Sequence, residues 1–436
     1  MIPILEGEAA RARVAALVNR MESLPAEAAA TVDRILADVR ARGDVAVREL
    51  TAKFDGADLP PERLAVTQAE VEAAYKSVDM EFLKAFDRAS TNIERFHQAQ
   101  VERSWVDHHE DGVLLGIKVT PIAAVGAYVP GGTGGSTPLI STAMMTAIPA
   151  RVAGVPRIAV ATPPSRDGTI DPHLLVTLDR LGVREIYKMG GAQAIGALAY
   201  GTATVAPVCK IVGPGNIYVA LAKRAVFGRV DIDAVAGPSE IVVLADSSAR
   251  PEWVAADLIA QAEHDPLALA LLVTPDRKLA GEVVAAIARR LEGLPRADVA
   301  RRALAGQGAA LVLPDLDAAI DACNALAPEH LEICTEDPHA LLGRITAAGA
   351  VFLGNYTPMA LGDYIAGPNH TLPTGGTARF ASPLGVWDFI KRTTVTSYTR
   401  AGLEKVARSV DLLAHLEGLD AHAESVAARL PPGRAR

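Results

Sequence analysis

The chain has 436 residues, of which half are apolar and 22% are charged, and its formal net charge is -8. A chain of this length exceeds what one hydrophobic core normally fills, so at least two packed units are expected. The negative charge and the aromatic content of only 4% argue against binding to a nucleic acid. The sequence contains no run of about 18 apolar residues, which argues against a membrane span.

The cysteines and the N-terminus indicate the cell compartment. Cys209, Cys323 and Cys334 show no CxxC spacing and are too few for a disulfide framework. Reduced thiols are typical of the cytoplasm. The first residues lack the basic and apolar regions of a signal peptide, so we expect a cytoplasmic protein.

The N-terminal part has helical periodicity. Residues 1–25 form a short amphipathic piece of their own. Apolar residues at helical spacing predict a helix over Ala26–Arg42, which Gly43 ends. Thr67 and Glu70 form a capping-box pattern that predicts a helix from Gln68, and residues 80–100 continue in the same style.

From Val119 onward, short β-branched runs alternate with glycine or proline loops and helices. This repetition predicts parallel, doubly wound sheets. The strands predicted for a first series are 123–129, 157–162, 185–188 and 210–212, and those for a second are 241–245, 269–274, 309–313, 330–334 and 350–354. The tail from Gly385 to Arg436 is predicted to be mostly helical, with no sheet of its own.

The predicted fold class is therefore α/β, with two Rossmann-like doubly wound units and small, mainly helical N- and C-terminal segments. Residues 1–25 are the N-terminal segment. Residues 26–126 and 240–384 form a first domain, and 127–239 are an inserted second domain. Residues 385–436 are a small, mainly helical C-terminal segment.

Several glycine loops follow predicted strands, as in proteins that bind dinucleotides at helix N-termini. The G-x-G-x-x-G pattern is absent, because Gly213-Pro214-Gly215-Asn216 lacks the third glycine. The glycine-rich loop 131–135 does not supply it either. The spacing of the glycines alone leaves two interpretations open: these loops bind a nucleotide, or the glycines only make tight turns.

Gln261 and His264 lie three residues apart at the end of a predicted helix, which places them on one face as a usable metal half-site. Asp363, in a predicted loop, and His422 would complete a mixed nitrogen and oxygen set that suits zinc or manganese. Nothing in the spacing forces these segments together. Read without further context, Gln261 and His264 are exposed polar groups at a helix end.

Glu329 and His330 lie between a predicted helix and a buried strand. A carboxylate and an imidazole at such a position can serve as base and acid. The alternative is a solvated loop acid beside a histidine that packs on the strand. His370 is a further isolated candidate.

Eight segments taken together resemble the histidinol dehydrogenase family, in the order of that family, from about residue 25 to about residue 425. Each motif is weak alone, but eight in one order are very specific. They are Tyr128–Gly132, Gly190–Ala194, Gly213–Asn216, Ala236–Glu240, Gln261–Asp265, Ala327–Glu332, Gly362–His370 and Glu417–His422.

The resemblance implies a zinc- and NAD-dependent enzyme that oxidises L-histidinol through L-histidinal to L-histidine with two NAD, the last step of histidine biosynthesis. It also implies an intertwined homodimer in which Glu417 and His422 reach the other protomer's site. The residues matching the family's positions are, for one zinc per subunit, Gln261, His264, Asp363 and His422; for the general base and the acid/base, Glu329 and His330; for further substrate contacts, Ser239, His370 and Glu417; and for NAD, Tyr128, Gln193 and Asn216.

The sequence departs from the family at Met359, where the family often has Glu, and in the glycine-rich loop 131–135. Neither position is an expected ligand. A paralogue that oxidises another small alcohol is the nearest alternative function. A non-catalytic metal or nucleotide binder and a zinc hydrolase that uses Glu329 are alternatives of another class.

Overall fold

The structure is a computed structural model that describes residues 2–20, 26–131 and 138–431. The glycine-rich loop 131–135 falls outside this range from Gly132 onward. In chain order the strands of the described residues are β1 Ile4–Glu6, β2 Trp105–Glu110, β3 Val113–Pro121, β4 Val125–Tyr128, β5 Ile158–Thr162, β6 Glu185–Lys188, β7 Lys210–Val212, β8 Asp231–Ile232, β9 Glu240–Ala245, β10 Leu269–Thr274, β11 Ala309–Val312, β12 His330–Cys334, β13 Ala350–Leu353 and β14 Ile390–Tyr398.

The helices alternate with the parallel strands, as the sequence predicts. In chain order they are α1 Gly7–Leu17, α2 Ala26–Arg42, α3 Asp44–Phe54, α4 Gln68–Ala74, α5 Met80–Gln98, α6 Ile140–Val152, α7 Pro172–Arg180, α8 Gly191–Tyr200, α9 Ile217–Val226, α10 Pro251–Ala262, α11 Arg277–Arg290, α12 Ala297–Gly306, α13 Leu316–Leu326, α14 Pro338–Leu342, α15 Met359–Tyr364, α16 Arg400–Leu416 and α17 Asp420–Ala427. The capping box at α4 is confirmed, because Thr67 accepts from Glu70 N and the Glu70 carboxylate accepts from Thr67 N.

The first parallel sheet has the order β6-β5-β4-β7-β8. Counted within the sheet this is 3-2-1-4-5, an order in which the winding reverses between β4 and β7. Both central strands are buried over their full length, since helices cover both faces of the sheet. Gly196 of α8 lets α2 approach closely, because a Cβ at this position would meet the side chains of Leu36 and Val39.

The second parallel sheet has the order β1-β11-β10-β9-β12-β13. From β9 onward it repeats the order 3-2-1-4-5, with the N-terminal strand β1 added beside β11. Successive residues of β9 point to opposite faces: Ile241 and Val243 join one apolar cluster, and Val242 and Leu244 join another. The two sheets confirm the α/β class with two doubly wound units.

The N-terminal residues are placed differently from the sequence-based grouping. Residues 1–25 were expected as a helical segment; a helix is confirmed over Gly7–Leu17, but Ile4–Glu6 is a strand that pairs in parallel with β11. Residues 26–100 were grouped with the second sheet, but α2, α3, α4 and α5 contact α8, α9, α7 and α6 of the first sheet. Apolar residues of α2 such as Val32 and Val39 share the core of that sheet. Helical periodicity identifies an apolar face without identifying which sheet covers it.

The C-terminal tail is not purely helical, so the prediction that it has no sheet of its own is wrong. Val101–Ile122 and Ile390–Arg436 form a compact unit separate from the rest of the chain. In it β14 pairs antiparallel with β3, and β3 with β2. The strand was missed because Ile390–Tyr398 is mainly polar and mostly exposed, which leaves no apolar alternation to detect.

None of the helices within the described residues combines the length and the apolar character that crossing a bilayer requires.

Candidate active site

Two acidic residues and a histidine lie where β9 and β12 begin, at the amino edge of the six-stranded sheet. Glu240 is the first residue of β9, and His330 is the first residue of the neighbouring strand β12. Glu329 directly precedes β12. All three are buried, with exposed fractions of 3%, 4% and 7% for Glu240, His330 and Glu329. The interpretation of Glu329 as a solvated loop acid is therefore wrong.

Hydrogen bonds fix these residues to one another. The Glu240 N–H donates to Glu329 Oε2 at 2.8 Å, and the Glu329 N–H donates to Glu240 Oε2 at 3.3 Å. His330 Nδ1 lies 2.8 Å from the carbonyl oxygen of Glu240. A carbonyl can only accept, so Nδ1 carries a proton and Nε2 of the neutral ring keeps its lone pair.

Burial sets the protonation of the pair. It raises the pKa of the Glu329 carboxyl well above its ordinary value, although the Glu240 N–H favours the charged form. It also lowers the pKa of His330, an effect that Asp363 and the Glu240 carbonyl partly oppose. A buried acid and imidazole with perturbed pKa values are typical of groups that transfer protons.

The predicted metal half-site lies at the C-terminal end of α10. Gln261 is in the last turn and is only 1% exposed, and its Oε1 has no hydrogen-bond partner among the described residues. His264 follows the helix and is exposed. An unsatisfied buried amide oxygen costs about 1–3 kcal/mol, so a ligand at this position would relieve it. For Gln261, the interpretation as an exposed polar group is wrong.

Asp363 lies in the short helix α15 rather than in the predicted loop. Its Oδ1 is 3.7 Å from His370 Nδ1, and His370 Nε2 is buried without a hydrogen-bond partner in the described part of the chain. Burial alone would raise the pKa of Asp363, but the imidazoles of His370, His330 and His264 together bring it below its ordinary value. These side chains therefore share one electrostatic environment.

Ser239 is half-buried and precedes Glu240. The loop that follows His370 holds this segment in place: the Gly237 N–H donates to Thr374 Oγ1 at 2.6 Å, and the Gly375 N–H donates to Glu240 Oε1 at 2.9 Å. The predicted substrate contacts Ser239 and His370 thus lie on two loops that are joined by hydrogen bonds.

Glu417 and His422 belong to the separate C-terminal unit. Glu417 follows α16, His422 lies in α17, and both are exposed. Across residues 2–20, 26–131 and 138–431 of one chain, no group of three His, Cys, Asp or Glu side chains is arranged to hold a metal ion. The four-residue zinc set therefore remains a prediction.

The three residues predicted to line the NAD site lie at the carboxyl edge of the five-stranded sheet. Tyr128 ends β4, and its hydroxyl accepts from the Gly191 N–H at 3.1 Å. Gln193 in the first turn of α8 is 1% exposed. Asn216 is the N-cap of α9 and accepts from the N–H groups of two residues of that helix. Helix capping therefore accounts for Asn216 in the Gly213–Asn216 motif even without a bound nucleotide.

Asp55 also lies at this edge, and sequence reasoning missed it. Its Oδ2 accepts from the Gly190 N–H at 3.1 Å and is 3.5 Å from Gln193 Nε2. Burial raises the pKa of Asp55 to about 6, although the Gly190 N–H opposes this shift. Asp55 follows a helix without a motif of its own, so no signal in the sequence pointed to it.

Arg20 and Glu240 were missed at the other edge. The Arg20 guanidinium binds both carboxylate oxygens of Glu240, at 2.5 Å each. Glu240 falls inside the quoted Ala236–Glu240 motif, which was a usable signal. Arg20 lies in no motif, and 220 positions separate it from its partner.

Comparisons with known proteins agree with the resemblance drawn from the motifs. The family model described as histidinol dehydrogenase matches residues 18–430. A histidinol dehydrogenase of Moorella thermoacetica is 51% identical over 98% of this chain and 100% of its own length. One of Bacillus subtilis is 53% identical over 92% of each chain.

A solved structure supports the same assignment. The crystal structure of histidinol dehydrogenase from Elizabethkingia anophelis superimposes with a TM-score of 0.92 at 37% identity, and the match covers 98% of both chains. Similarity of this extent covers both sheets and the terminal elements. The chain therefore belongs to the histidinol dehydrogenase family and is an oxidoreductase enzyme.

Proposed function

We propose that the chain oxidises L-histidinol through L-histidinal to L-histidine with two NAD and one zinc ion per subunit, the last step of histidine biosynthesis. Family membership supports the substrate. The observation that carries the chemistry is the buried pair Glu329 and His330, here called the catalytic pair, beside Asp363 and His370. The reduced thiols of buried Cys323 and Cys334 support a cytoplasmic location.

The residues near α10 fit a zinc ion. Gln261 offers a buried, unpaired amide oxygen, and Asp363 a carboxylate whose charged form is favoured. With an imidazole from His264 and one from His422 they make a nitrogen and oxygen donor set that suits zinc. Zinc, when bound, orients the imidazole and amino nitrogens of the substrate so that the reacting carbon is fixed.

His330 is the base for the alcohol step. Because Nδ1 donates to the Glu240 carbonyl, Nε2 is the ring nitrogen whose lone pair is free to accept a proton. Burial keeps the ring neutral by lowering its pKa. Nε2 takes the hydroxyl proton of the alcohol while the carbon loses a hydride. NAD, when bound, accepts that hydride.

Glu329 is the base for the aldehyde step. A carboxyl group whose pKa burial has raised is a stronger base toward water than an exposed one. It takes a proton from a water molecule whose oxygen adds to the aldehyde carbon. The hydrate that forms would lose its hydride to a second NAD when that is bound, and the resulting acid would release its proton to solvent and leave as the carboxylate. No cysteine lies in the motifs of the site, which supports water as the nucleophile.

Ser239 and His370 contact the substrate from their hydrogen-bonded loops. Glu417 adds a carboxylate for the amino group, and we propose that it and His422 come from the partner subunit of an intertwined homodimer. Exposed Leu412, Leu413 and Leu416 on α16 support a contact surface on the C-terminal unit. NAD lies along Tyr128, Gln193 and Asn216 at the carboxyl edge of the five-stranded sheet.

The test is the yield of NADH per molecule of histidinol, with and without a chelator. Two equivalents that are lost on chelation and restored by zinc support the proposal. Turnover of another alcohol but not of histidinol would identify a paralogue on the same scaffold. No NADH from any alcohol would favour a binder or a hydrolase.

A further inference from the structure

Glu240 contacts both members of the catalytic pair. Its N–H holds the Glu329 carboxylate, its carboxylate accepts from the Glu329 N–H, and its carbonyl holds His330 Nδ1. The pairing of β9 with β12 aligns His330 with Ile241, which sets Glu240 beside Glu329. A shift of Glu240 would therefore displace the base of each half-reaction.

Arg20 fixes the carboxylate of Glu240. Its guanidinium forms a two-pronged ion pair with Glu240 and is itself held by the carbonyl oxygens of Leu17 and Leu326, at 2.9 Å each. The exposed fractions of the two side chains are 11% for Arg20 and 4% for Glu240. A bidentate guanidinium contact defines the position of a carboxylate more closely than a lysine ammonium can.

The backbone before Glu329 supports the same conclusion. Ala327 has a φ of +45°, and in the described part of the chain no other non-glycine residue has a positive φ. A left-handed alanine persists only where its surroundings hold it. Arg20 binds the carbonyl of Leu326, the residue before it, and Ala327 leads through Pro328 to Glu329.

We infer that Arg20 and Glu240 are positioning residues that set the geometry of the catalytic pair. The inference rests on the proposed function for the roles of Glu329 and His330. Neither Arg20 nor Glu240 reacts with the substrate. Arg20 binds the N-terminal segment, the end of α13 and the first residue of β9 at once. Glu240 in turn fixes the positions of Glu329 and His330 through its own hydrogen bonds.

Arg20→Lys tests the inference, because it keeps the positive charge and removes the bidentate contact with the Glu240 carboxylate. The kcat for histidinol should fall about tenfold or more, as expected for a misplaced base, while KM changes less than about twofold. Amide exchange should also quicken in peptides that cover Glu240 and Glu329, since each N–H donates to the other's carboxylate. This second readout needs no substrate.

Arg379→Lys is the matched control. Arg379 Nη2 binds the carbonyl oxygens of Val18 and Ala325, one residue from the carbonyls that Arg20 binds. It connects the same two segments, but among the described residues its hydrogen bonds go to these carbonyls and not to Glu240. Arg379→Lys should lower the melting temperature as Arg20→Lys does, with kcat within about twofold of wild type.

The outcomes separate the two claims. Unchanged kcat and amide exchange in folded Arg20→Lys, or equal kcat losses in both variants, would overturn the positioning role. A wild-type enzyme that does not oxidise histidinol would overturn the proposed function, and the amide-exchange comparison would still test the positioning role. If Arg20→Lys does not fold, Arg20→Met with Glu240→Gln removes both buried charges, and wild-type kcat in that variant would overturn the inference.

Discussion

The two parallel sheets share the strand order 3-2-1-4-5 but carry their polar clusters at opposite edges. In the five-stranded sheet the cluster lies at the carboxyl edge, where α8 and α9 begin. In the six-stranded sheet it lies at the amino edge, where α10 ends and β9 and β12 start. Two sheets of equal topology therefore carry polar clusters of different chemistry.

Helix polarity explains what each edge can bind. Helix N-termini present free N–H groups and partial positive charge, which favour phosphate groups such as those of NAD. Helix C-termini present carbonyl groups and partial negative charge, which favour a cation. Gln261 and His264 at the end of α10 are thus suited to zinc, and a metal and a dinucleotide can be bound by one repeated architecture.

The largest expected effect is at the proposed zinc site, at the amino edge of the six-stranded sheet. His264→Ala should lose zinc and reduce turnover by more than about 100-fold, since even groups that only support metal ligands contribute 10–100-fold. The side chain is exposed, so the fold should survive. Metal analysis of the purified variant, together with its circular dichroism spectrum, checks both points. Stoichiometric zinc at full rate would show that His264 is not a ligand.

Mixed dimers sharpen the assignment of His422. If each site takes His264 from one chain and His422 from the other, His264→Ala and His422→Ala chains are inactive alone. Random mixing should restore about a quarter of the wild-type activity, because half the dimers are mixed and one of their two sites is intact. Co-expression with separate affinity tags gives the measurement. A mixture that stays inactive contradicts sharing of the site between subunits.

The next effect separates the two half-reactions. Glu329→Gln should slow oxidation of histidinal by about 100-fold, the usual contribution of a general base, and oxidation of histidinol much less. Gln can still accept the hydrogen bond from Glu240 N, so the geometry is kept. NADH formation from each substrate is measured separately. Equal losses in both steps would exclude a water-activating role that is specific to the second.

A smaller effect is expected at the proposed NAD site, at the carboxyl edge of the five-stranded sheet. Gly213 has a φ of +111°, and a Cβ there would overlap the carbonyl oxygen of Tyr128. Gly213→Ala should raise the KM for NAD about tenfold, as a displaced loop would, and leave the KM for histidinol unchanged. Gly228→Ala is the control: its φ is +95° and its Cβ would meet nothing within 4 Å. If both variants bind NAD normally, Gly213 does not shape the NAD site.

The smallest effect on turnover is expected from Asp55→Asn, whose effect on stability depends on pH. Burial raises the pKa of Asp55 to about 6 in the folded protein, so its contribution to stability is present below pH 3.8 and is lost as the pH rises through about 6. Asn should therefore stabilise the protein more at pH 8 than at pH 5, by about 1.4 kcal/mol, because about half of the total ionisation cost of about 3 kcal/mol is already present at pH 5. Urea unfolding at the two pH values gives the difference. An equal gain at both would contradict the shift.

Sequence reasoning succeeded where the signal is local. The helix Ala26–Arg42 and the Thr67 capping box follow from periodicity and from one short motif. Asp363 was placed in a loop because α15 has only six residues, too few to show a helical period. Arg20 was missed because its partner is 220 positions away, and a contact of that kind leaves no pattern in a single sequence.

One side chain connects the loop of His370 to a helix that packs on the five-stranded sheet. Asn369, the neighbour of His370, donates through Nδ2 to the carbonyl of Met145 at 2.6 Å, and Met145 lies in α6 of the five-stranded sheet. Any displacement of α6 must therefore break this bond or carry the histidine's loop with it. If His370 contacts the alcohol as proposed, a ligand that shifts α6 would change the affinity for the alcohol, and by reciprocity the alcohol would change the affinity for that ligand by the same factor.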